Sequence, residues 1–150
     1  MNTHKRQQPG ARYTPLLTRA RATEQAALRA LSEAQQRFCQ EKNKLAQLRN
    51  YPNESTQSAQ AHSASTLINR NAFLSRLRQA IQLQEDQLGK AEQMIKKARN
   101  HWVNAHNDTQ RYEQLIANEA SRARRHAARL EQKELDEIAS RTHFHMPHRV

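Results

Sequence analysis

Counting every seventh residue from Leu67 gives Leu67, Leu74, Ile81, Leu88, Ile95, Trp102, Thr109, Ile116, Ala123 and Leu130, and eight of these ten are large and apolar. Such types (Leu, Ile, Val, Met, Phe, Trp, Tyr) supply only 31 of the 150 residues, so chance would place roughly two there. The companion positions three residues further on include Leu77, Ala91, Ala98, Ala105 and Tyr112. A stripe repeating every 3.5 residues is the pattern of a left-handed coiled coil, because a helix carrying it must supercoil to keep the stripe against a partner. No proline and a single glycine, Gly89, interrupt the span from 67 to 141. It reads as one long helix.

The N-terminal half repeats the pattern. Leu17, Glu24, Leu31, Phe38 and Leu45 form one series, and Ala20, Ala27, Ala34, Glu41 and Leu48 form the other. Large residues alternate with alanine, which lets two helices approach closely. With only two glycines, the chain is poorly equipped for the tight turns of a β-rich fold and contains no Gly-rich phosphate loop. The expected fold is all-α, an antiparallel two-helix coiled-coil hairpin with a longer second helix. Its expected parts are a flexible basic arm over 1–15, helix one over 16–51, a linker over 52–65 opened by Pro52, helix two over 66–141, and a His-containing tail over 142–150. Thr14 is placed to cap the first helix, and Ser65 or Thr66 the second. With the turn near residue 58, Leu17 falls opposite about residue 99. Everything beyond Trp102 then overhangs, yet Tyr112, Leu115, Ile116, Leu130, Leu135 and Ile138 keep an apolar stripe there. An apolar stripe without an intramolecular partner marks a binding surface. The alternatives are that the arm folds into a helical part of this stripe or that the chain dimerises.

Catalytic chemistry finds little footing. His101 and His106 are five residues apart and so on different helix faces, unlike a zinc-binding i, i+4 pair. His143, His145 and His148 read as a solvated tail, Cys39 as a small, partly buried thiol beside the seam, and Trp102 as packing. One cysteine allows no internal disulfide. No cofactor or metal site is expected. No apolar run reaches the ~20 residues that span a bilayer. The net charge of +11 admits a nucleic-acid partner. The arginine cluster Arg122, Arg124, Arg125 and Arg129, however, is followed by Glu131, Glu134, Asp136 and Glu137 and lacks interleaved aromatics. An acidic protein partner explains the charge as well, and no nucleic acid is expected.

Three segments, LRNYPNE at 48–54, NRNAFLSRLRQAIQLQEDQL at 69–88 and EQKELDEIASR at 131–141, resemble in order and spacing the flagellar export protein FliJ family. That resemblance implies an antiparallel coiled coil similar to the stalk of rotary ATPases. It implies a non-enzymatic part of the bacterial flagellar type III export apparatus, cytoplasmic and peripheral to the inner membrane at the flagellar base. The implied partners are the export ATPase FliI, whose assembly and activity such a protein promotes, the cytoplasmic domain of the export gate FlhA, and the substrate-specific export chaperones. The family's gate-contacting residues carry over to Leu48, Tyr51, Phe73, Leu77, Ala80 and Gln84. Ser55 stands where a second tyrosine is often seen in the family, and Gln84 where a histidine can stand. For the ATPase, the overhang supplies the candidates: Tyr112, Leu115, Ile116, Arg122, Arg124, Arg125, Arg129, Leu130, Leu135 and Ile138. A virulence-injectisome stalk protein and a basic nucleic-acid-associated coiled coil are the alternatives.

Overall fold

The computed structural model describes the backbone of residues 8–56 and 63–144 and the side chains of 8–51 and 63–143. Two helices make up almost all of it: α1, Thr14–Thr56 (43 residues), and α2, Ala64–Phe144 (81 residues). They pack against each other as a two-helix hairpin, with no strand among the described residues. The middle of the linker, residues 57–62, and the histidines His4, His62, His145 and His148 lie outside the described residues, as does the side chain of Ser55.

The helix starts differ from the expected caps. The amide of Leu17 donates to the Tyr13 carbonyl at 2.8 Å, so Tyr13 closes the first turn and Thr14 is already helical, its carbonyl accepting from the Thr18 hydroxyl. Pro15 sits in that first turn, where its missing N–H costs no helical bond. In α2 the cap is Ser63: its carbonyl accepts from Leu67 N at 3.1 Å and its Oγ from Thr66 N at 3.3 Å. Ser63 Oγ also meets the Thr66 hydroxyl at 2.6 Å, so Thr66 is the capped residue rather than the cap. At the other end α1 continues through Pro52 to Thr56 instead of breaking after Tyr51. Pro52 is close enough to the helix end that its missing N–H forfeits one backbone bond, to Leu48, and not a run of them.

The chain divides into two compact units. In the unit of 23–105, Ala27, Leu45, Leu77, Ala91 and Ala105 are buried. Leu31, Ala34, Phe38, Glu41 and Leu48 of α1 and Leu74, Ile81, Gln84, Leu88, Ile95, Ala98 and Trp102 of α2 are half-buried around them. Among the described residues no large side chain is fully buried, as expected where two helices share one seam. Across the seam, the Gln84 amide Nε2 donates to the Glu41 carboxylate at 2.5 Å and to its backbone carbonyl at 3.0 Å. Arg49 donates to Glu85 at 2.7 Å. Leu67, although on the seven-residue series, is 56% exposed, so the seam opens before Leu74. Cys39 is exposed, not partly buried. Phe38 holds the seam position, and the next residue is turned ~100° away from it.

The other unit comprises residues up to 22 and from 106 onward. Leu17 and Thr109 are its buried positions on the helices, with Ala20, Tyr112, Ile116, Glu119 and Ala120 half-buried. Arg21 pairs with Glu113 at 3.1 Å, and Arg12 pairs with Glu119. Residues 8–13 form successive turns rather than an arm free of α2: Gly10 is buried, with φ +85°, directly over Ile116. With Gly10 over Ile116, Leu17, seven residues on, lies level with about Thr109 instead of residue 99. The overhang accordingly begins after Ser121, not after Trp102.

Candidate functional site

The exposed chemistry of these helices falls into two sets. The first lies in the 23–105 unit. The rings of Tyr51 and Phe73 meet across the hairpin with centroids 5.7 Å apart and planes inclined by 43°. Such a tilted contact between aromatic quadrupoles is favourable, about 0.5–1.5 kcal/mol beyond area burial. Both rings remain accessible, Tyr51 at 52% and Phe73 at 39%. Ala80 is half-buried, one turn beyond Leu77. The six residues carried over from the family thus split by role. Tyr51 and Phe73 offer surface; Leu77 is core; Leu48, Ala80 and Gln84 are seam or its edge. Gln84 is engaged by Glu41, which holds that carboxyl below the usual carboxylate range, the Gln84 hydrogen bond contributing most and Lys44 next.

The second set lies on α2 in the other unit. Tyr112 and Ile116 belong to the packed seam, while Leu115 is 39% exposed. From Arg122 to His143 every residue is exposed, including Leu130 (48%), Leu135 (62%) and Ile138 (59%). Ala123, Ala127, Leu130 and Ile138 extend the stripe of Ile116 and Ala120. The arginine cluster is not a single patch. Arg122, Arg125 and Arg129 follow i, i+3, i+7 spacing and share a face with Lys133, whereas Arg124 projects from the far side. Within this segment Arg141 pairs with Glu137 at 2.6 Å and the Gln132 amide donates to Asp136 at 2.9 Å, both along the helix itself. Such exposed pairs contribute little to stability.

Sequence reasoning missed Gly10 and the Arg12–Glu119 pair. A Pro-Gly dipeptide signals a turn, but nothing in it says which helix the turn will cover. No group of three or more His, Cys, Asp or Glu side chains positioned for a metal occurs among the described residues. A depression of about 750 Å³ beside Gly89, lined by Glu85, Asp86, Lys90, Gln93, Met94 and Lys97, is formed by one helix alone and lacks the enclosing walls of a ligand cleft. Among the described residues, no helix is long and apolar enough to cross a membrane.

These features define a coiled-coil hairpin whose surface offers helix faces for other proteins. The family model described as flagellar FliJ protein matches residues 9–147. The chain therefore belongs to the FliJ family, which gives it a role related to flagellar protein export. No curated protein and no solved structure matches it.

Proposed function

We propose that this protein is a non-enzymatic adaptor of flagellar type III export. It engages the export ATPase through the bare part of α2 and the cytoplasmic domain of the export gate through the surface around Tyr51 and Phe73. It promotes assembly and activity of the ATPase and handles the substrate-specific export chaperones, working in the cytoplasm at the membrane face of the flagellar base. The observation that carries this reading is the segment 122–143. It continues the apolar stripe of a packed coiled coil, every residue of it is exposed, and neither α1 nor the N-terminal turn covers it. In water a stripe of this kind is stabilised by a protein surface that covers it.

Adding the purified protein to its own export ATPase tests the reading. Hydrolysis and hexamer formation should both rise, and Leu130→Asp with Ile138→Asp should abolish the rise while leaving the hairpin folded. An ATPase indifferent to the wild-type protein would refute the adaptor role. Phe73→Asp should weaken capture by the gate's cytoplasmic domain and spare capture by the ATPase.

A further inference from the structure

The N-terminal turn lies on the same apolar stripe that the bare segment continues. Gly10 is buried against Ile116, and a side chain grown there would put its Cβ 3.1 Å from Ile116 Cγ2 and 3.4 Å from Ile116 Cβ. Its φ of +85° is a conformation that favours glycine. Two residues on, Arg12 pairs with Glu119 while its guanidinium lies 4.7 Å from the Tyr13 ring centre. The turn is closed by Ala11 N donating to the Gln8 carbonyl and Tyr13 N to the Gly10 carbonyl.

What holds this turn down is slight. Glycine has no side chain to bury, Tyr13 is only half-buried, and the Arg12 side chain is 71% exposed, so its ion pair is largely screened. What the turn covers is not slight: Ile116 is the last large apolar residue of the stripe before the bare segment. A contact that hides an apolar step cheaply, at the edge of an open docking face, opens when something larger competes for that step.

We propose that the turn Gln8–Tyr13 is a latch. It withholds Ile116 in the free protein and is displaced when a partner occupies the stripe, so that the docked surface runs unbroken from Ile116 through Leu130 to Ile138. The latch rests on the reading above for the identity of that partner, the export ATPase, but not for its own existence in the free chain.

Two full-chain variants test it, both in a Cys39→Ser background. The first carries Ile116→Cys. Its thiol should react slowly with a maleimide, and adding Gly10→Val, which clashes with position 116 and strains the backbone, should speed the reaction at least tenfold. Equal rates with and without Gly10→Val would overturn the latch whatever the ATPase does. The second carries Gly10→Cys and Ile116→Cys, whose Cβ atoms lie close to the ~3.8 Å that a disulfide spans. Oxidised, it should lose stimulation of the export ATPase, and reduction should restore it. Undiminished stimulation by the oxidised form would show that the turn stays closed on docking. If the wild-type protein also fails to stimulate, the adaptor reading fails, and thiol protection alone decides whether the turn closes over Ile116.

Discussion

At the scale of single residues, the polar members of the seam are the most informative. Glu41 occupies a position that the apolar pattern would give to leucine, and Gln84 reaches across to it with both amide hydrogens. A polar pair inside a coiled-coil seam discriminates between registers, because any slip leaves both groups without partners. It also makes stability depend on acid. The Glu41 carboxyl titrates below its unfolded value, so its contribution is present above the ordinary carboxylate range and is lost as pH falls through the lowered folded value. Thermal melts over an acid series should show the wild-type protein losing stability more steeply than Glu41→Gln in that window; parallel curves would remove the pair from the account. Gly10→Ala should destabilise the chain by about 1–2 kcal/mol, the cost of a side chain in the left-handed region, with crowding against Ile116 acting in the same direction. A urea midpoint unchanged by this substitution would contradict the packing of the turn.

At the scale of the element, α2 changes role along its length. Its start depends on a local device, the Ser63 hydroxyl accepting from Thr66 N. Ser63→Ala should cost about 1 kcal/mol, read as faster amide exchange confined to the first turn of α2. From Leu74 to Ile116 the helix is held by packing against α1 and the N-terminal turn. From Arg122 to His143 it continues with every side chain exposed. Substitutions on the same stripe should therefore behave oppositely. Ile116→Asp places a charge in the packed stretch under Gly10 and should destabilise by about 1–3 kcal/mol, whereas Leu130→Asp should stay within about 0.5 kcal/mol of wild type. Equal losses in a calorimetric comparison would mean that the bare segment is packed after all. Spacing alone treats the two positions alike, since both lie on the seven-residue series.

At the scale of the whole chain, the functional candidates separate by unit. All the residues matched to the gate lie within 23–105, and all the ATPase candidates lie beyond 106. Removing residues from 122 onward should thus leave the cooperative melt of the hairpin within about 2 °C of the full chain, while abolishing stimulation of the ATPase. A collapse of the melt would show that the segment supports the fold instead of offering a surface. The net charge of +11 belongs to this scale as well. It is spread over the N-terminal residues and both helices, and its effect is on association with acidic surfaces more than on the fold.

The sequence by itself determined that the chain is helical, that it forms a hairpin, and which residues turn inward. Every residue assigned to the α1 series, including Glu24 and Glu41, is buried or half-buried, and so is the α2 series from Leu74 to Ile116. Periodicity reports this directly, because it records which side of a helix avoids water. The residues proposed for the gate were legible only through the family resemblance, and the structure then divided them into surface and core. The register was decided by the tertiary structure alone. A stripe that repeats every seven residues looks nearly the same after a slip of one repeat, so its pattern cannot say which residue of α1 faces which residue of α2. Contacts that do not repeat make that choice: Gly10 on Ile116, Gln84 on Glu41, Arg49 on Glu85. They carry the covered part of α2 past Trp102 to Ser121, and so decide how much of that helix is left for another protein to hold.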